Sequence, residues 1–551
     1  MKKRMQVFCA MLLVAVLLAG CGSSGGAGGS GGDGSGAGGS GGAGASEPSR
    51  TVNLAISENC ITLDPQNANN QGSQIVAEPV YEGLLQTDGE GNYWPWLAKS
   101  WEYDETGTVW TFHLREGVTF NNGDPFTSAD VVCSYQRLID NYNELCYSIQ
   151  YWPGQLLQSV EAVDEYTAVI TLKEAYSMSE YGFAKCAIIP ASVYGEQGAD
   201  MFYTQNLVAT GPWMLEEWID GQYAHYVKNP TYWNAANYNS YYDEMYIRHV
   251  LESSTSVAGH LAGDLDANLV TGGINPDMLP LYAGSEDRIE IVPVDVFSYY
   301  YMGFQCDPGK PLSDVNVRKA FECAIDRQTI LDSILGGGKV CKSIIPEGSV
   351  GYDENLPPYE YNPELAKEYL AKSNYNGEEI VLSSNTSTTK AEEQLLAISD
   401  MLNAVGFNTS VSVVENATLL EMRKTANYDV FLVITMQTGG DPGGILSMRV
   451  LEDAHSSHFV DDELNSLIQQ GLKTIETEER AGIYKQAMER MREVSAPHTG
   501  LYAPYANYAV NFGVKGLDLY RDGTLRLAYV DYDASQTSFT GVDYAALTAG
   551  L

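Results

Sequence analysis

The 551-residue chain is poor in positive charge and in histidine: 32 Lys and Arg face 71 Asp and Glu, with seven His, for a net charge of −39. A surface that acidic repels phosphate backbones and anionic headgroups, which argues against nucleic acid as a partner. The acid is spread along the sequence and reads as a solvated face. The nine cysteines contain no Cys-x-x-Cys. Setting Cys9 and Cys21 aside, the odd set Cys60, Cys133, Cys146, Cys186, Cys306, Cys323 and Cys341 argues against a full disulfide framework and a zinc ribbon. These thiols read as small buried hydrophobes, with one or two bridges left open for an exported chain. No run after the N-terminal leader is apolar enough to span a membrane, and there is no fixed-period repeat. Enzyme signatures are missing too. Gly336-Gly337-Gly338-Lys339 has Val340 where a phosphate loop needs Ser or Thr, and Ser333 where its first Gly belongs. It reads as a helix end and a turn. The folded part has no G-x-S-x-G elbow. His455 and His458 are three apart and lack a third ligand. No enzyme, no cofactor and no resident metal is expected.

What is present begins at the N-terminus. Lys2, Lys3 and Arg4 precede an apolar run from Val7 to Leu18 that closes on Ala19-Gly20-Cys21, the pattern of an export signal over residues 1–20. Leu18-Ala19-Gly20-Cys21 resembles the lipobox of bacterial lipoproteins. That resemblance implies a diacylglycerol on the Cys21 thiol and Cys21 as the mature N-terminus; an ordinary secretory signal with an incidental Cys is the alternative. From Gly22 to Ser46 the chain is almost wholly Gly, Ser and Ala, so residues 21–50 read as a flexible tether of roughly 25–30 Å root-mean-square span. The expected location is the cell membrane, lipid-anchored on the extracytoplasmic face.

The remainder is too long for one core. Trp110, Phe112 and Leu114 alternate with Thr111 and His113 as a half-buried strand does, and Thr127 with Asp130 forms a capping box that opens a helix. After Ser298 the pattern becomes strand, helix, strand, helix, strand: Tyr299–Phe304, a helix striped by Val317, Ala320, Phe321 and Ala324, then Ile380–Ser383, a helix near 390–404, Ser410–Val414 and Val430–Thr435. This predicts a parallel sheet covered on both faces, with ligands at its carboxyl ends. The last strand runs into Gln437-Thr438-Gly439-Gly440-Asp441-Pro442, a candidate pocket loop.

Leu63-Asp64-Pro65, Val80-Tyr81-Glu82-Gly83-Leu84-Leu85 and Pro95-Trp96-Leu97-Ala98-Lys99-Ser100-Trp101 occur in a characteristic order. They are followed by Phe112–Phe120, Asn122–Thr127, Thr210-Gly211-Pro212-Trp213, Asn229-Pro230-Thr231-Tyr232-Trp233 and Val317-Arg318-Lys319-Ala320. In these segments the chain resembles the extracytoplasmic solute-binding proteins of ABC transporters, oligopeptide/dipeptide class. The resemblance implies an α/β, two-lobed periplasmic-binding-protein-like fold with a hinge, a ligand cleft between the lobes and an extra α+β domain inserted in the first lobe. It places the first lobe at 51–85, 205–297 and 501–551, the insertion at 86–204 and the second lobe at 298–500. The implied protein is a monomer that captures a small solute, a peptide by family habit, and delivers it to the membrane subunits of an ABC permease. An oligosaccharide or a metal chelate is the alternative cargo, and a surface sensor or display lipoprotein the alternative role. A hydrolase is disfavoured.

Candidate ligand residues follow from the same resemblance. In peptide-binding relatives an Asp a few residues before an Asp-Pro pair holds the peptide's amino group; here Thr438 stands at that place. Asp441 is the substitute, or else a turn or cap residue. Gln71, Gly72 and Ser73 lie in a loop that touches ligand backbone in relatives. Thr271 and Gly272, with Tyr299, Tyr300 and Tyr301 at the lobe crossover, complete the set; tyrosine (37 in the chain) offers a cleft an apolar face with a hydroxyl at its rim. Trp96, Trp101 and Trp110 read as core.

Overall fold

Strand Thr51–Ile56 has Val52, Leu54, Ala55 and Ile56 all fully buried, the near-continuous apolar run of a strand covered on both faces. It lies inside a seven-stranded sheet ordered Ile289–Val294, Ala506–Asn511, Ala267–Asn268, Thr51–Ile56, Glu244–His249, Tyr223–Lys228, Trp213–Ile219. Its two neighbours run parallel to it, and the remaining pairs are antiparallel. The computed structural model describes residues 50–203, 206–437, 439–452 and 457–551. The signal, Cys21 and the tether up to residue 49, together with Thr438 and His455, lie outside the described residues.

A second, four-stranded antiparallel sheet is ordered Ala98–Tyr103, Val109–Leu114, Thr167–Leu172, Leu157–Asp164. Its core is the expected alternation: Trp110, Phe112 and Leu114 are fully buried. Helix Ser128–Asp140 packs on Leu157–Asp164 and starts at the predicted capping box, where Thr127 and Asp130 satisfy each other's backbone N–H groups. Two buried polar clusters tie this region to the seven-stranded sheet. Arg137 forks onto Asp64 at 2.5 and 2.9 Å. Glu82 accepts from Trp96 Nε1 at 2.8 Å, Trp233 Nε1 at 2.9 Å and Tyr232 Oη at 3.0 Å. Three of the sequence motifs thus meet at one carboxylate, which burial pushes up to about 7 against these hydrogen bonds.

The third sheet is ordered Gly338–Val340, His498–Pro504, Ser298–Phe304, Val430–Met436, Glu379–Asn385, Asn408–Val414. The expectation of a parallel sheet holds for only part of it. Glu379–Asn385 pairs in parallel with Asn408–Val414 and Val430–Met436, whereas Ser298–Phe304 is antiparallel to both its neighbours. The reason is connectivity: Ser298–Phe304 and His498–Pro504 are the segments that cross between the first and third sheets, and neither is delivered by a strand–helix–strand unit. His498–Pro504 carries the third sheet four residues beyond the expected boundary at 500. Gly336 closes the helical segment before Gly338–Val340 in a left-handed conformation, φ 80°, as a helix end and not a phosphate loop. All seven cysteines among the described residues are free.

The interlobe cleft as candidate functional site

A cleft of about 870 Å³ opens between the inserted domain and the third-sheet lobe. One wall carries Tyr142, Ile149, Tyr151, Leu156, Tyr176, Met178 and Tyr181; the other carries Met436, Gly444, Ile445, Met448 and Leu472. The volume lies within the usual range of small-molecule sites. Glu174 and Lys473 face each other across its rim and pair at 2.6 Å.

The walls meet along one side. Ser177 N donates to Leu472 O at 2.8 Å, and Tyr103 Oη to Glu476 Oε1 at 2.9 Å. The loop after Val430–Met436 is pinned within its own lobe and reaches the insertion. Gln437, fully buried, donates from its amide to Ser349 Oγ at 2.8 Å and to Gly439 O at 3.0 Å. A Cβ on Gly439 (φ 68°) would fall 2.8 Å from the Tyr181 ring, and one on Gly440 would fall 2.3 Å from Glu90 O. These glycines let the second-lobe backbone touch the insertion.

Asp441, a ligand carboxylate or else a turn or cap residue by its sequence, is tied into the fold in this structure. Asp441 is buried, its Oδ2 lies 2.5 Å from Arg480 Nε, and its Oδ1 accepts from Gly443 N at 2.7 Å. The bond from Gly443 N is the contact a turn residue makes. Tyr299, Tyr300 and Tyr301 are at most 2% exposed. Tyr299 and Tyr301 pack into the core with Ile445 and Tyr484, and Tyr300 into the opposite one with Leu395 and Tyr502, so none of the three is part of the cleft wall. Strand alternation requires this split, because both faces of Ser298–Phe304 are covered.

Gln71, Gly72 and Ser73 open helix Gln71–Ala77 near the carboxyl end of Thr51–Ile56. Ser73 Oγ is committed to Ile61 N and Thr62 N at 2.9 and 3.1 Å, and Gly72 packs so tightly that a Cβ would sit 2.3 Å from Asn59 O. Thr271 N donates to Ser57 Oγ at 3.0 Å, and Gly272 takes φ 76°. The structure therefore gathers 57–62, 71–73 and 271–272 at the carboxyl ends of the adjacent parallel strands Thr51–Ile56 and Ala267–Asn268, and none of them lines the cleft. Gln71 instead lines a separate cavity of about 90 Å³ with Glu78, Tyr81, Lys185 and Arg526. Burial lowers Lys185 there to about 8. The wall residues missed by sequence reading all belong to the insertion or to 436–473. The available signal was the Tyr and Met density of 142–181, which resembles core until the second wall is placed opposite it.

Two lobes, an insertion and a cleft walled by both define a solute-binding protein of the periplasmic-binding type. Residues 92–456 match the bacterial extracellular solute-binding proteins, family 5, and the chain belongs to that family. Its relatives include the probable D,D-dipeptide-binding periplasmic protein DdpA of Escherichia coli K12, 26% identical, covering 83% of this chain and 89% of the relative. The periplasmic oligopeptide-binding protein OppA of the same strain is 25% identical over 79% of this chain and 84% of its own. Among solved structures, HbpA2 from Haemophilus parasuis superposes with a TM-score of 0.78 at 23% identity, covering 88% of this chain and all of that one. No helix of the described residues is long and apolar enough to cross a membrane.

Proposed function

We propose that this chain is the substrate-binding lipoprotein of an ABC import system, that it captures a peptide by closing its lobes, and that it hands the peptide to the membrane permease. The observation that carries this reading is the cleft itself: its two walls come from different lobes, so a ligand touching both favours the closed form by its differential affinity. The peptide assignment draws on relatives named for dipeptides and oligopeptides. Monomeric action and anchoring through a lipid on Cys21 belong to the same proposal, as does the lobe division at 51–85, 205–297 and 501–551, 86–204, and 298–500. The Asp441–Arg480 pair supports a cleft in which a peptide's amino terminus is held elsewhere than at that carboxylate. The test is native mass spectrometry of freshly purified protein, followed by small-angle scattering with the identified solute. A bound peptide and a smaller radius of gyration are expected; a ligand that binds without compaction would remove the closure mechanism.

A further inference from the structure

Both cleft walls present large apolar side chains to open space. Ile149 on the insertion is 51% exposed, and Met448 and Met436 on the opposite lobe are 44% and 38% exposed. Tyr151 and Met178 stand beside Ile149, and Ile445 beside Met448. Isolated exposed apolar residues need no explanation, but exposed apolar residues that line one cleft from both walls mark a binding surface, here with Gln150, Ser447 and Gln469 as its uncharged polar members. Charge points the same way. The only charged side chains lining this cleft among the described residues are Glu174 and Lys473, and they neutralise each other at the rim. A ligand charge inside the cleft would lose water without gaining a partner. Methionine on both walls adds an unbranched, polarizable lining that adapts to different apolar shapes. Gly444 brings the two walls together at the floor: a Cβ there would stand 3.4 Å from Met178 Sδ, in ordinary contact.

We infer that the cleft selects solutes carrying a bulky, uncharged apolar or aromatic group, which within the peptide reading means peptides with a Leu, Met or Phe side chain and not Lys or Asp. The inference rests on the peptide reading only for the scaffold that carries this group. Each methylene withdrawn from water changes affinity about fourfold, so a Leu side chain gains well over tenfold on Ala.

Two measurements on the full mature chain test it separately from peptide binding. Titration calorimetry with Ala-X-Ala tripeptides (X = Ala, Leu, Phe, Lys, Asp) is expected to rank Phe and Leu at least tenfold above Ala, with Lys and Asp weakest. Fluorescence of N-phenyl-1-naphthylamine, an uncharged apolar probe, is expected to rise on binding. Met448→Glu and Ile149→Glu sit at exposed positions that folding does not need. Each should lower probe and Phe-peptide affinity at least tenfold with an unchanged melting temperature, and Gly444→Phe should fill the floor and block both. Probe binding that these variants abolish, with no tripeptide bound, would uphold the apolar cleft and sink the peptide reading. Equal affinity for all five tripeptides, no probe binding, or probe binding indifferent to the variants would overturn the inference.

Discussion

Asp441 and Arg480 form a buried ion pair, Oδ2 to Nε 2.5 Å, with both side chains 7% exposed. Arg480 also donates to Thr474 O and Ile475 O, so one guanidinium joins the pocket loop to the start of helix Thr477–Glu493. Removing one partner leaves a buried charge alone and typically costs 3–5 kcal/mol. Asp441→Asn and Arg480→Met should each lower stability by about that much in urea titration. The double variant should fall well short of their sum, and strict additivity would show that the pair is not coupled.

Gly440 allows the second-lobe loop to reach Glu90, whose carbonyl oxygen a Cβ would meet at 2.3 Å. Gly440→Ala should hold the lobes apart. Scattering should then show a larger radius in the presence of ligand than for the wild type, and calorimetry a weaker affinity. A wild-type radius in the bound variant would mean that the loop yields and that closure does not depend on this contact.

Glu82 gives the protein a pH dependence. Its folded-state pKa is raised to about 7 from an ordinary 4.5, chiefly by burial. The folded protein therefore holds this proton more tightly than the unfolded chain does, and stability from this group falls as pH rises between those two values. Relative to Glu82→Gln, the wild type should lose about 3 kcal/mol of stability between pH 4.5 and pH 7.5, read from urea midpoints at each pH. A difference independent of pH would place the Glu82 pKa in the normal range.

Asp295 precedes the first crossover strand and bridges the lobes, pairing with Lys339 at 2.6 Å and Arg521 at 3.0 Å. The groups are partly exposed, so the pairs contribute little to global stability. Asp295→Asn should change the melting temperature by no more than a few degrees while shifting the open–closed balance seen by scattering at low salt, a shift that high salt removes.

The proposed anchor has a direct assay. Wild-type protein should partition into detergent and follow the membrane fraction, and Cys21→Ala should abolish lipid labelling. Each buried CH₂ of an acyl chain contributes about 0.8 kcal/mol, and two chains together suffice for stable attachment. Unchanged labelling in the variant would rule out Cys21.

Local chemistry was legible in the sequence wherever a few adjacent residues decide it. The capping box at Thr127, the alternation of Trp110, Phe112 and Leu114, and the turn at Gly336 depend on backbone preference and a period of two or a single turn. The family, too, was readable from motif order, because Glu82, Trp96 and Trp233 must be present for their hydrogen bonds to form. Only the tertiary structure decided which residues line the cleft. Tyr299 to Tyr301 and the tyrosines at 142, 151, 176 and 181 look alike as a composition, and most of both groups are buried, yet only the second group lines the cleft with Met436 and Met448. Asp441 likewise is a ligand carboxylate or a structural one according to whether Arg480, 39 residues away in the chain, folds back onto it. Burial and ion pairing are relations between distant segments, and no window of sequence contains them.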